Sequence, residues 1–446
     1  MSDDIKGIPY SIAEFDKEGK PLNEPAVPAD TTDLIVVSHG WNNDRQAAET
    51  LYHKLFENFA DVTENDADIK ARRIAIVGII WPSNKIDELM TEISALGAQA
   101  GGAAAVGGHV DKAASQAAIH DAIDRVAPLF DDADAAGKIA ALHEIVPQLD
   151  DDTDAQEKFV ETLRKLVEPR GNLEGEHSKN DGSAFFFEDD AGAVFERAAQ
   201  EPVAAQPVEE EGAASKDEGA AAGFVDDLVS GAARAAKTLL NLMSYYEMKK
   251  RAGTVGKNGV APLIDKLSQQ LEKLTRIHLV GHSFGGRVVA AAAANSTTDK
   301  LHSLSLLQAA FSHNAFSRIR NGFFRSVVDN RRIKGPILVT HTRKDTAVGR
   351  AYPLASRISG SNADSLGDAN DEFGGLGSNG AQRMEDGEVI AEINAILPTG
   401  QPYAWQPGKF HNLEGGTFLA DPQGGDAHGF VWVPQVAWAI SRAIVS

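Results

Sequence analysis

The sequence predicts an α/β fold, with a mostly parallel central sheet, helices on both faces, and a large insertion that is mainly helical and rich in alanine, glycine and acidic residues. Three observations predict it. Short apolar runs such as Asp33–Ser38 and Ile74–Trp81 read as strands buried on both faces. Segments with apolar residues at helical spacing alternate with these runs. Polar residues stand just past the ends of three runs, at His39-Gly40, Gly281–Ser283 and Arg343–Asp345. Sheets of this kind bind ligands beyond the carboxyl ends of their strands.

Ile8–Phe15 and Pro21–Pro25 read as strands joined through the turn Asp16–Lys20. Asp33–Ser38 is a central strand. Asp44 then caps a helix whose apolar positions Leu51, Leu55, Phe56 and Phe59 recur at helical spacing. Ile74–Trp81 is the next strand, closed by Pro82. From about Glu92 to Gly231 the β-branched residues thin out and alanine, glycine and acidic residues dominate. Within this block Met90–Leu129 and Ala135–Val167 read as helical, and Glu188–Gly223, with Glu209-Glu210-Glu211, reads as a linker. The core pattern stops in the block and resumes after it. The chain therefore divides into a first part of the core (1–90), an acidic insertion and candidate cap (91–235), and a second part of the core (236–446).

Phe224, Leu228, Ala232, Ala235, Leu239, Leu242 and Met243 form the stripe of an amphipathic helix, which faces either the core or, as a lid, a lipid surface. Pro262 opens another helix, with Leu263, Leu267, Leu271 and Leu274 on one face. A strand through Ile277–Val280 leads to Ser283 and a helix from Arg287 to Asn295. Strands at Leu301–Leu307 and Pro336–Thr340 follow, then a glycine-rich loop, Gly367–Gly380, and a helix, Glu388–Ile396. The last helix runs from Pro434 to about Ile444.

The composition excludes several function classes. A formal charge of −21 over 446 residues repels nucleic acid and anionic membrane surfaces. With no cysteine, disulfides, thiolate chemistry and cysteine-based metal sites are ruled out. The acidic start Met1-Ser2-Asp3-Asp4 lacks the apolar run of a secretory signal, and no apolar stretch has the length of an integral membrane segment. The expected location is cytoplasmic, with export by a route that needs no such signal as the alternative.

The chemistry centres on Gly281-His282-Ser283-Phe284-Gly285-Gly286, set between a strand and a helix. Flanking glycines permit a turn so tight that the serine is held at its tip with Oγ exposed. A serine hydroxyl needs a base, and the base needs a group that fixes its tautomer. Asp345 follows a buried strand, and His428 lies among small residues shortly before the last helix. His411 is a rival base, but it reads as part of a strand. His53, His109, His120 and His143 lie in helical stretches, and His278 lies in a strand. His282 reads as a support for the turn. Two N–H donors for an oxyanion are expected, one from Phe284 and one from the loop Ser38-His39-Gly40-Trp41-Asn42, where Trp41 is the first choice and Gly40 the second. Arg287 reads as a helix-surface residue, or else an anchor for an anionic substrate.

Together the Gly281–Gly286 motif, His39-Gly40-Trp41, Asp345 and His428 resemble the α/β-hydrolase superfamily, in which serine, acid and histidine follow in this order. His39-Gly40-Trp41 followed by Trp81-Pro82-Ser83 is similar to a poorly characterised bacterial branch of these hydrolases. The resemblance covers about residues 8–90 and 236–446. It implies an acyl- or ester-cleaving serine enzyme, esterase- or lipase-like, with neither metal nor organic cofactor. The apolar helix from Phe224 to Met243 points to a small or lipid-like ester and peripheral lipid contact, while thioester, amide or peptide cleavage would use the same machinery. A lipase-like effector toxin would share the site. A non-catalytic α/β scaffold that binds a partner through the acidic insertion is the reading from another class.

Overall fold

The computed structural model describes residues 3–41, 43–83, 112–130, 133–167, 184–199, 230–345, 348, 373–420 and 427–446. The chain divides into two compact units: Met1–Lys85 with Met248–Pro353 and Gly367–Ser446, and Ile86–Glu247 with Leu354–Leu366.

The first unit is built on one sheet of eight strands. They are β1 (Asp3–Ile5), β2 (Ile8–Glu14), β3 (Asp33–Ser38), β4 (Ile74–Ile80), β5 (Arg276–His282), β6 (Leu301–Leu307), β7 (Ile337–His341) and β8 (Phe410–Glu414). Their order is β1-β2-β4-β3-β5-β6-β7-β8. β1 runs antiparallel to β2, and every other pair is parallel. The carboxyl ends of β3, β5 and β7 therefore open on the same edge of the sheet.

Both faces of the sheet are covered. All of β3 is buried, and its side chains alternate between faces. Ile35 and Val37 join Ile76, Val280, Leu307 and Leu338 in a core with Tyr52, Leu55, Phe56 and Phe59 of the helix Arg45–Val62. Val436, Ile440 and Ile444 of the last helix, Pro434–Val445, complete it. Each such side chain contributes roughly 1.5–3 kcal/mol. Leu34 and Val36 point to the opposite face, where the helix Phe284–Asn295 packs on β3, β5 and β6. Gly285 in its first turn lies against the backbone of Ser38 and His39, closer than a Cβ would allow.

Several expectations are corrected. Pro21–Pro25 is not a strand, since Pro21 makes a single bridge to Phe15 and proline has no N–H to extend a ladder. β1 takes that role by turning through Lys6 and Gly7, both at positive φ. Glu388–Ile396 is not a helix. It touches β8 at two isolated bridges, Val389 with Phe410 and Ala395 with Glu414, separated by a turn at 391–392, with Ile390 N donating to Phe410 O and Phe410 N to Glu388 O, both at 2.9 Å. An open sheet edge offers these β-branched residues better hydrogen bonding than an uncapped helix. Gln270 ends the helix that Pro262 opens, before Leu271 and Leu274, which are nevertheless buried.

The second unit is helical in its described residues. Lys112–Val126, Ala135–Ile145 and Thr153–Val167 are helices, and Pro147 splits the expected continuous helix with a 3₁₀ turn at Val146–Gln148. Ala191–Ala199 is also a helix, where a linker was expected. Its buried Ala191, Val194, Phe195 and Ala198 are spaced at i, i+3, i+4 and i+7, and Phe195 meets Phe159 edge-on at 6.3 Å. The rest of that segment (200–223), residues 90–111, Phe224 and Leu228 lie outside the described residues, as do residues 367–372 of the glycine-rich loop, whose remainder carries a short helix at Leu376–Asn379. In the helix Gly231–Val255 the stripe members Ala235, Leu239, Leu242 and Met243 are buried.

Candidate active site

Ser283 sits between β5 and the helix Phe284–Asn295 with φ 56° and ψ −127°, a conformation that costs a non-glycine residue of order 1–3 kcal/mol. The neighbouring strand holds it there. Ser283 N donates to Leu307 O at 3.1 Å, and Ala310 N donates to Ser283 O at 3.0 Å. The flanking glycines are required by contact. A Cβ at Gly281 would strike the backbone of Gly285, and one at Gly285 would strike Ser38 and His39. Gly286 packs on Ala309 in the same way.

The loop after β3 meets the serine directly. A Cβ on Gly40 would lie 2.5 Å from Ser283 Cβ and 2.9 Å from its Oγ, so only glycine fits. His39 N donates to Tyr52 Oη at 2.8 Å, and Tyr52 Oη donates to Ile79 O at 2.6 Å, which ties the loop to the helix and to β4. Trp81 stacks on the His39 ring at 5.5 Å, and its indole N–H donates to His39 O at 3.1 Å. Ser83 Oγ donates to Asn43 O at 2.8 Å. The Trp81-Pro82-Ser83 motif thus clamps the His39-Gly40-Trp41 motif. His39 Nδ1 donates to Gly40 O at 2.8 Å, and Asn43 donates to the same carbonyl at 3.3 Å. In a planar trans peptide the Trp41 N–H points opposite to that carbonyl, away from those donors. The Trp41 ring packs edge-on against Phe284 at 6.0 Å. Phe284 is the first residue of its helix, so its N–H lies at the positive end of the helix dipole. Asn42 lies outside the described residues.

Asp345, fully buried past the end of β7, accepts a hydrogen bond from His428 Nδ1 at 2.9 Å. Its other oxygen accepts from Val348 N at 2.9 Å. A carboxylate on Nδ1–H leaves the lone pair on Nε2, the tautomer a general base needs. His282, the residue before the serine, donates from Nε2 to His428 O at 2.8 Å, and the two rings lie 4.8 Å apart. The structure therefore brings together Ser283, Phe284, Gly40 and Trp41 as one group and Asp345 with His428 as another, joined through His282. Residues 421–426, which precede the histidine, lie outside the described residues.

His411 is buried within β8, its Nε2 accepting from Gln406 N at 3.2 Å. Arg287 is not a helix-surface residue. It is 3% exposed, its Nε donates to Lys249 O at 2.8 Å, and its guanidinium lies 5.0 Å from the Phe323 ring. Sequence reasoning missed Tyr52, which reads as one more helical apolar position, and Gln308, which carries no local signal.

Burial holds two histidines here neutral. Desolvation pushes His39 down to about 4 and His282 down to about 3. Neither affects stability above about pH 6.5, where the unfolded chain is neutral at these positions as well. Below that, the unfolded state binds protons the folded state refuses. Each group then lowers stability by about 1.4 kcal/mol per pH unit, until the pH approaches its folded value. The melting temperature is expected to fall steadily between about pH 6.5 and 4. A melting temperature that does not change from pH 7 to 5 contradicts this.

No family model, curated protein or solved structure matches the chain. Among the described residues, no cluster of three or more histidines and carboxylates is arranged to hold a metal ion, and no helix is long and apolar enough to cross a membrane.

Proposed function

We propose that this chain is a serine hydrolase of the α/β-hydrolase type, cleaving carboxylic esters through Ser283, His428 and Asp345. The strained Ser283 turn, with Gly40 against its Oγ, is the observation that carries the reading. Strain of this kind, fixed by surrounding glycines, has a use if the hydroxyl must be presented at a site. Further support comes from chain order and strand position: the oxyanion loop follows β3, the serine follows β5, the acid follows β7, and the histidine follows β8. On this reading residues 91–235 are an insertion into the hydrolase core.

In the reaction, Ser283 Oγ attacks the ester carbonyl and passes its proton to His428 Nε2. The Phe284 and Trp41 N–H groups receive the oxyanion, and Asp345 holds the imidazolium. His428 then protonates the leaving alkoxide, which departs as the alcohol. A water molecule, deprotonated by His428, attacks the acyl-enzyme, and Ser283 recovers its proton as the acid leaves. Small or lipid-like esters are the proposed substrates.

A panel of nitrophenyl esters from acetate to long-chain acyl groups tests this. Turnover of at least one ester, with a maximum at one chain length, is expected. If the panel shows no hydrolysis above the rate of a Ser283→Ala chain, the esterase reading is overturned and the non-catalytic scaffold is favoured.

A further inference from the structure

We propose that His282 and Gln308 are positioning residues that grip the backbone carbonyls on either side of the His428 Cα and so set His428 against Ser283. The proposal rests on the serine hydrolase reading. His428 lies on a loop, so its imidazole is only as well placed as that loop. Two side chains at the ends of rigid strands hold it: Gln308 Nε2 donates to Ala427 O at 2.8 Å, and His282 Nε2 donates to His428 O at 2.8 Å. The amide of Ala427 donates to Lys344 O at 3.2 Å, which joins the same loop to the segment carrying Asp345. Because His282 precedes Ser283 in the chain, nucleophile and base are referenced to one strand.

Both side chains are costly to keep. Gln308 is fully buried at the end of β6, with φ 43°, and its own N–H donates to Thr340 O at 3.1 Å. Its side-chain oxygen has no partner among the described residues, and neither does Nδ1 of the buried His282. Each unpaired acceptor has lost its hydration without a replacement bond, which destabilises the fold. An apolar residue would fill either place without that cost. What it could not supply is the donor, and in both cases the donor goes to the His428 loop.

The test compares His282→Leu and Gln308→Met, which remove the donors, with His282→Gln, which keeps a donor at the Nε2 position. Three quantities are read: ester turnover, the melting temperature, and the downfield NMR signal of the proton between His428 Nδ1 and Asp345. His282→Leu and Gln308→Met are each expected to lower kcat by roughly ten-fold to a hundred-fold with KM nearly unchanged, as a small misplacement of a catalytic group does. The downfield signal is expected to broaden or vanish while the melting temperature holds. His282→Gln should restore most of kcat. Unchanged kcat and an unchanged signal in both donor-free variants overturn the proposal. So does a loss that tracks a lowered melting temperature and is not rescued by His282→Gln. The signal reports the loop independently of turnover, so a wild-type chain without esterase activity, its signal still dependent on these two residues, overturns the catalytic reading and leaves the grip standing. Either donor-free variant suffices if the other fails to fold.

Discussion

Replacing Ser283 with alanine is expected to lower ester turnover by a factor on the order of 10⁶ and leave the fold intact. The hydroxyl makes no capping bond to the helix it precedes. The backbone bonds to Leu307 and Ala310 are independent of the side chain. Alanine at the same positive φ therefore loses the nucleophile and little else, and the melting temperature should stay within a few degrees of the parent. Turnover within about ten-fold of the parent would show that some other group performs the attack.

Asp345→Asn is expected to cost about 10⁴-fold in kcat with KM little changed. The buried carboxylate accepts from His428 Nδ1 and from Val348 N. An asparagine keeps the shape and can still accept one of those bonds. Its amide NH₂, turned toward Nδ1, selects the imidazole tautomer with the proton on Nε2, which cannot take the proton of Ser283. The loss should ease as pH rises, when other bases deprotonate the serine. A variant with full kcat would mean that Asp345 is only a capping residue for the turn that follows it.

The alternation of buried strands and amphipathic helices was legible because burial on both faces leaves an uninterrupted apolar run, as in Asp33–Ser38. Failures came where tertiary hydrogen bonding overrode local pattern. Val389, Ile390, Ile393 and Ile396 repeat at intervals a helix could use, yet the segment bridges to the edge of β8 at Val389 and Ala395 instead. Ala191, Val194, Phe195 and Ala198 carry a helical period that the acidic surroundings hid. At the candidate site, glycines announced themselves because a close approach excludes every other residue. Strand position and chain order mark Asp345 and His428, and His428 Nδ1 lies 2.9 Å from Asp345 Oδ2. Tyr52 and Gln308 make their contacts between distant segments, and no local spacing encodes these.

The central claim is that Ser283 is the nucleophile. A fluorophosphonate probe, followed by peptide mass mapping of the adduct, tests it most directly. The account predicts one phosphonate on Ser283, with labelling abolished in Ser283→Ala and slowed in His428→Ala. An adduct on any other residue, or equal labelling of the Ser283→Ala chain, would contradict it.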